Sequence, residues 1–219
     1  MKKLFLTLAL TVLSLTAAHA QFGVIGGFTS STTKIAPGTN WSAEIQKAPL
    51  WHAGVAYKIG MGPFFTLQPQ LTYQTKGSGV KDAARNLKSQ AGFVELGLGA
   101  QLGLDLLIVR PYLLLEPFIG YDVTPGERFS GDLAGISLTN DQINQYLKDA
   151  RNKFEAGFGI GGGIEVMRHV QVSVQWFMNV GKLYSEDRLA ADAVLKTFTA
   201  NYKDLKNYQG LKVTVGIFF

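Results

Sequence analysis

Histidine, serine and the carboxylates are the side chains with which this chain could do acid–base or nucleophilic chemistry, and they are few and scattered. The histidines are His19, His52 and His169. There is no cysteine, which excludes thiolate nucleophiles and zinc–thiolate centres. A hydrolase needs a histidine held beside a serine or an acidic orienting group. Loop folding could bring Ser42 or Glu44 to His52, but that spacing has no specificity. Gly159-Ile160-Gly161-Gly162-Gly163 superficially resembles a phosphate loop. It lacks the closing Lys-Ser/Thr pair and the following helix, so it reads more simply as a glycine stripe in a strand. No catalytic, cofactor-binding or metal-binding residue is assigned, no cofactor is expected, and the chain does not read as an enzyme.

The remaining candidates are charges placed on strands. Apolar and polar residues alternate in segments about ten residues long, the length of a membrane-crossing strand. Phe22–Phe28 is the first segment, with poorly separated faces. In the second, Trp51, Ala53, Val55, Tyr57 and Ile59 oppose His52, Gly54, Ala56 and Lys58. Phe65–Gln74 alternates cleanly, and Val94–Gly103 sets leucines against Glu95, Gln101 and glycines. In Tyr112–Tyr121, Glu116 lies on a mixed face with Leu114 and Phe118. Phe154–Val166 places Glu155 and Glu165 on a glycine-rich face, Val170–Asn179 alternates valine with Gln and Ser, and Leu211–Phe219 closes the series.

No stretch beyond residue 20 is long and apolar enough for a membrane helix. A membrane placement therefore demands a closed barrel, since an open sheet leaves backbone groups unpaired in lipid. The polar face carries Gly, Gln, Thr and Ser with few charges. It suits a narrow hydrogen-bonded lumen better than a water-facing surface. In such a lumen Glu95, Glu116, Glu155 and Glu165 need cations, and Lys58, Lys212 and loop arginines are available. Together they form a structural ionic plug; the alternative is a thin conducting path lined by the carboxylates. His52 and His169 fall at opposite ends of such a barrel and cannot share a metal or a proton relay.

Connections alternate long and short. Thr29–Pro49, Val123–Asn152 and Gly181–Asn207 are long, and Lys76–Ser89 is of medium length. Gly60–Pro63, Leu104–Val109 and Arg168-His169 are tight. Long loops outside and short turns in the periplasm are the usual arrangement. Helices are expected within two long loops, over Asp141–Lys153 and around Leu189, Ala193 and Phe198. Trp51, Tyr57, Tyr73, Tyr121 and Trp176 sit where interfacial aromatic girdles would fall.

At the amino end, Lys2 and Lys3 precede an apolar run that ends in Ala18-His19-Ala20, the form of a cleaved export signal over residues 1–20. Residues 21–219 then form the barrel domain. The formal charge of +5 falls to +3 without the two lysines, too mild to imply nucleic acid.

The carboxyl-terminal strand ends on an aromatic, Phe219, in phase with Leu211, Val213, Val215 and Ile217. This resembles the assembly signal of bacterial outer-membrane barrels, which the barrel-assembly machinery reads. Gln21–Gly27, Leu67-Gln68-Pro69-Gln70-Leu71, the Pro69, Leu71, Tyr73 spacing, Val109–Leu113 and Phe219 together resemble the PorT-like or porin-family outer-membrane barrels of Bacteroidetes type. The resemblance implies an eight-stranded barrel and, from one such relative, a link to protein secretion. The strands and connections themselves read as an all-β, eight-stranded, antiparallel up-and-down transmembrane barrel in an outer membrane, monomeric, with a structural or interaction role through its extracellular loops. A narrow channel for small solutes or ions and a soluble lipocalin-like ligand-binding barrel are the alternatives.

Overall fold

Alternation becomes strand pairing throughout the computed structural model, which describes residues 20–35, 44–82, 85–124, 129–133, 152–180 and 205–219. Among these are β1 (Ala20–Ile35), β2 (Glu44–Gly60), β3 (Phe65–Asp82), β4 (Arg85–Gly103) and β5 (Val109–Asp122). They continue as β6 (Phe129–Leu133), β7 (Phe154–Val166), β8 (Val170–Val180) and β9 (Leu205–Phe218). Eight of the strands pair antiparallel in a ring, in the order β1, β2, β3, β4, β5, β7, β8, β9 and back to β1. The five-residue β6 is an outrigger on the far end of β4, pairing Phe129–Leu133 with Arg85–Ser89.

The registers fix how the ring closes. Ala20 faces Ile59, which faces Leu67, then Ala100, Leu115, Ile160, Trp176, Leu211 and finally Ser30. One circuit returns to β1 ten residues further on, between Ala20 and Ser30. That stagger tilts the strands by roughly 40° and leaves a bore only wide enough for side chains.

Facing is unambiguous. On β5, Leu113 and Leu115 are 68% and 51% exposed while Glu116 is 3% exposed. The same order holds on β8, where Val172 and Val174 face out and Gln171, Ser173 and Gln175 are buried. A soluble lipocalin-like barrel would show the reverse, so that alternative is overturned. Trp51 stacks near Tyr73 with ring centroids 5.3 Å apart, and the Phe158–Trp176 and Tyr121–Phe154 pairs lie at 6.2 and 6.4 Å. These pairs sit toward the loop end of the outer face, as expected for one girdle.

Three expectations change. The blurred first segment alternates after all: Phe22, Val24 and Phe28 point out, while Ile25, Thr29 and Ser31 point in. Ile25 on the inner face and paired Gly26-Gly27 had hidden the pattern. The strands also exceed ten residues. From Tyr73 to Asp82, β3 continues for roughly 20 Å past the girdle once tilt is allowed for. Most of Lys76–Ser89 is accordingly paired strand, from Lys76↔Ala91 to Asp82↔Arg85, rather than loop. The expected helix over 141–153 lies outside the described residues except for Asn152 and Lys153, which are not helical, and the one around Leu189 lies wholly outside them.

Glycine lets neighbouring strands coil tightly where the stripe runs. A Cβ on Gly161 would lie 2.1 Å from the Val174 carbonyl oxygen, and one on Gly159 would lie 1.7 Å from Gln175 Nε2. The stripe is barrel wall.

Candidate functional site

The inner face collects the charged residues, and three of them carry it toward the loop end. Lys76 is fully buried. Its Nζ lies 2.6 Å from Glu95 Oε1 and 2.7 Å from Glu155 Oε1, and donates to Asn179 Oδ1 at 3.2 Å. Asn179 in turn donates its amide to Glu155 Oε2. Phe118, Phe93 and Phe177 surround the ammonium, with ring centroids at 4.6, 5.2 and 5.3 Å. These rings form one buried cluster with Ala91 and Tyr208. A lysine so enclosed is held by ion pairing and by the negative faces of the rings together.

Deeper in the bore, Lys212 Nζ donates to Glu116 Oε1 at 2.9 Å. His52 lies between two hydroxyls, with Nδ1 3.0 Å from Thr29 Oγ1 and Nε2 3.0 Å from Thr214 Oγ1. It has no carboxylate or serine in hydrogen-bond reach among the described residues. Ser42 is outside the described residues. His169 is exposed in the β7–β8 turn, its Nδ1 2.5 Å from the Met167 carbonyl. The two histidines are thus strands and turns apart, as the spacing implied.

The turn end is built differently. Lys58 Nζ meets Glu165 Oε1 at 3.0 Å, donates to the Arg168 carbonyl at 3.2 Å and lies 4.1 Å from the centroid of Phe218. Arg110 donates to Gln101 Oε1 at 3.1 Å and to the Phe64 carbonyl at 3.4 Å. Its remaining neighbours are looser, Asp105 at 3.6 Å and Glu165 at 3.7 Å. Below these groups a cavity of about 680 Å³ opens toward the turns, lined by Lys58, Thr66, Arg110, Glu165 and, at its mouth, Asp105 and Arg168.

All four inner-face glutamates therefore find cations. Lys58 and Lys212 take the partners expected of them. Arg110, at the base of β5, fills the role given to a loop arginine. Lys76 is the residue that sequence reasoning missed, because it was assigned to a connection. Parity along β3 could have found it: Thr66, Gln68, Gln70, Thr72 and Gln74 are buried, and Lys76 is next in phase. The same parity marks Phe93 behind Glu95, Phe177 behind Gln175, and Phe218 behind Gly216. Phe93 and Phe177 pack in one buried inner-face cluster, and Phe218 packs in another with Ile25 and Ala56.

The sequence model of the family described as outer membrane protein beta-barrel domain matches residues 16–185. No curated protein matches the chain. Among solved structures, the chain is similar to Neisserial surface protein A at 15% identity, covering 91% of this chain and 99% of that one with a TM-score of 0.45. It is similar to Ail, the attachment invasion locus protein of Yersinia pestis, at 10% identity, 91% and 99% coverage and a TM-score of 0.43. The outer membrane protein OprG of Pseudomonas aeruginosa follows at 13% identity, 91% and 96% coverage and a TM-score of 0.41.

Proposed function

The chain belongs to the outer membrane protein beta-barrel domain family, and from that premise we propose a sealed barrel that works through what it displays outside the membrane. Its apolar outer face sits in the lipid bilayer of the outer membrane. The observation that carries the reading is the Lys76–Glu95–Glu155–Asn179 plug with its ring of phenylalanines. It closes the bore beneath the long connections. What remains available for a task is the loop end: the β3–β4 hairpin, β6 and the three long connections, which loops on a rigid scaffold commonly use for binding.

Several finer points belong to the same proposal. The turn end faces the periplasm, so the long connections face the exterior. Residues 1–20 act as a cleaved export signal, Phe219 is read by the barrel-assembly machinery, and the folded protein is monomeric. The role is structural or interactive rather than catalytic, which the hydroxyl-bound His52 and the isolated His169 support. A link to protein secretion is the role that a PorT-like relationship implies.

Planar bilayer recording separates this reading from the narrow channel. Purified protein should insert without conductance steps, and a photo-crosslinking residue at position 185 should give a discrete heavier adduct on living cells. Reproducible ohmic steps together with no adduct would overturn the proposal in favour of a pore.

A further inference from the structure

We propose that the cavity at the turn end is a binding site for a small solute bearing an oxyanion, a phosphate or a carboxylate. Charge supplies the first argument. Lys58 and Arg110, each more than nine-tenths buried, face a single buried carboxylate, Glu165. The rim pair of Asp105 and Arg168, 3.9 Å apart, adds one charge of each sign. The cavity is therefore cationic by one charge, whereas at the other end Lys76 faces two carboxylates. Low-dielectric walls focus such a field onto the space they line.

Hydrogen-bond capacity is the second argument. Among the described residues Arg110 spends two of its N–H groups on hydrogen bonds, to Gln101 and to the Phe64 carbonyl. A guanidinium carries five donors in a planar fork. Its Nε lies 3.6 Å from Asp105 and its second approach to Glu165 is 3.7 Å, both beyond good hydrogen-bond range. Donors are in surplus at this end, and a planar fork with spare N–H groups suits an oxyanion.

The third argument is the mouth. Met167 and Arg168 are the central residues of a β-turn, closed by His169 N donating to the Val166 carbonyl at 3.1 Å, within the three-residue connection between the paired Val166 and Val170. Both have positive φ, 50° and 61°. Asn and Gly are the usual occupants of such positions. Here an arginine is held there instead, its carbonyl tied to Lys58 and its guanidinium exposed at the entrance. Strain of this kind gathers at ligand clamps. The cavity volume of about 680 Å³ is in the range of small-molecule sites. In the orientation proposed above the ligand comes from the periplasm, but the binding itself does not rest on that orientation or on a sealed bore.

The test uses the full folded barrel in neutral detergent, titrated with glycerol 3-phosphate at constant ionic strength and read by equilibrium binding and by the thermal unfolding midpoint. Saturable binding is expected. Arg168→Gln, at an exposed turn, should weaken it about tenfold, the loss of one charge-assisted hydrogen bond. Lys153→Gln, at the opposite end, should leave it unchanged. A second arm places the protein in phosphatidylcholine vesicles with or without phosphatidylglycerol. A midpoint shift with phosphatidylglycerol and none with the free ester would identify a lipid head group as the source of the same chemistry. Absence of saturable response to either probe would overturn the site. So would equal affinity of the wild type, Arg168→Gln and a folded Arg110→Gln variant.

Discussion

Replacing Lys76 by Met tests whether the lumen is held shut by ion pairing. The substitution keeps most of the side-chain volume and removes the charge. Glu95 and Glu155 then lose the ammonium that lies 2.6 and 2.7 Å from them. Both carboxylates are buried, and the Asn179 amide still donates to Glu155. Leaving a buried charge without its partner costs about 3–5 kcal/mol. Loss of the contact with three aromatic rings acts in the same direction. With an m-value of about 2 kcal/mol per M in urea, the unfolding midpoint in lipid vesicles should fall by roughly 2 M. The triple variant Lys76→Met, Glu95→Gln, Glu155→Gln removes the stranded charges and should recover most of that loss, because a neutral replacement of a buried ion cluster is often close to isoenergetic. A Lys76→Met midpoint within about 0.5 M of wild type, or a triple variant less stable than the single one, would refute the reasoning.

Three further outcomes follow from the wall of the barrel. Deleting Phe219 removes an exposed lipid-facing ring and the rung from Phe219 N to the Phe22 carbonyl at 2.8 Å; cells should make the chain but accumulate it unassembled, and normal amounts of heat-modifiable protein in the membrane would count against this. Val174→Arg places a charge in lipid near mid-strand at about 2–4 kcal/mol, so in folding titrations it should be worse than Ser173→Arg, whose side chain enters the lumen. Gly161→Ala would press a methyl group 2.1 Å from the Val174 carbonyl oxygen, while Gly26→Ala meets nothing nearer than 3.4 Å; the first should cost about 1–3 kcal/mol in unfolding titrations and the second much less.

How far the fold was legible depends on which face carried the signal. On β3, β4 and β8 small polar residues alternate with aliphatic ones, so period two assigns both strand and facing. On β1 the inward Ile25 and the Gly26-Gly27 pair broke the contrast, and only pairing with β2 and β9 restores it. Segment ends were harder, because lipid-facing residues stop at the girdle while hydrogen bonding continues. Lys76 was lost for that reason, and with it the centre of the plug. The pairing of Lys58 and Lys212 with inner glutamates was readable from parity, but which glutamate each meets depends on the ten-residue stagger, which no single segment encodes. The turn-end cavity left almost no trace. Arg110 and Arg168 come from different hairpins, and the positive φ at Arg168 contradicts local residue preference.

Orientation in the membrane is the point on which the account turns, and paired cysteine labelling measures it directly. The chain has no native cysteine. Cysteine is introduced singly in place of Ser185, in the connection between β8 and β9, and in place of His169, in the β7–β8 turn. In intact cells a membrane-impermeant maleimide should label the Ser185→Cys variant, and should reach His169→Cys only after the outer membrane is opened. Labelling of the His169 site alone would invert the barrel, and equal protection of both sites in intact cells would contradict its placement across the outer membrane.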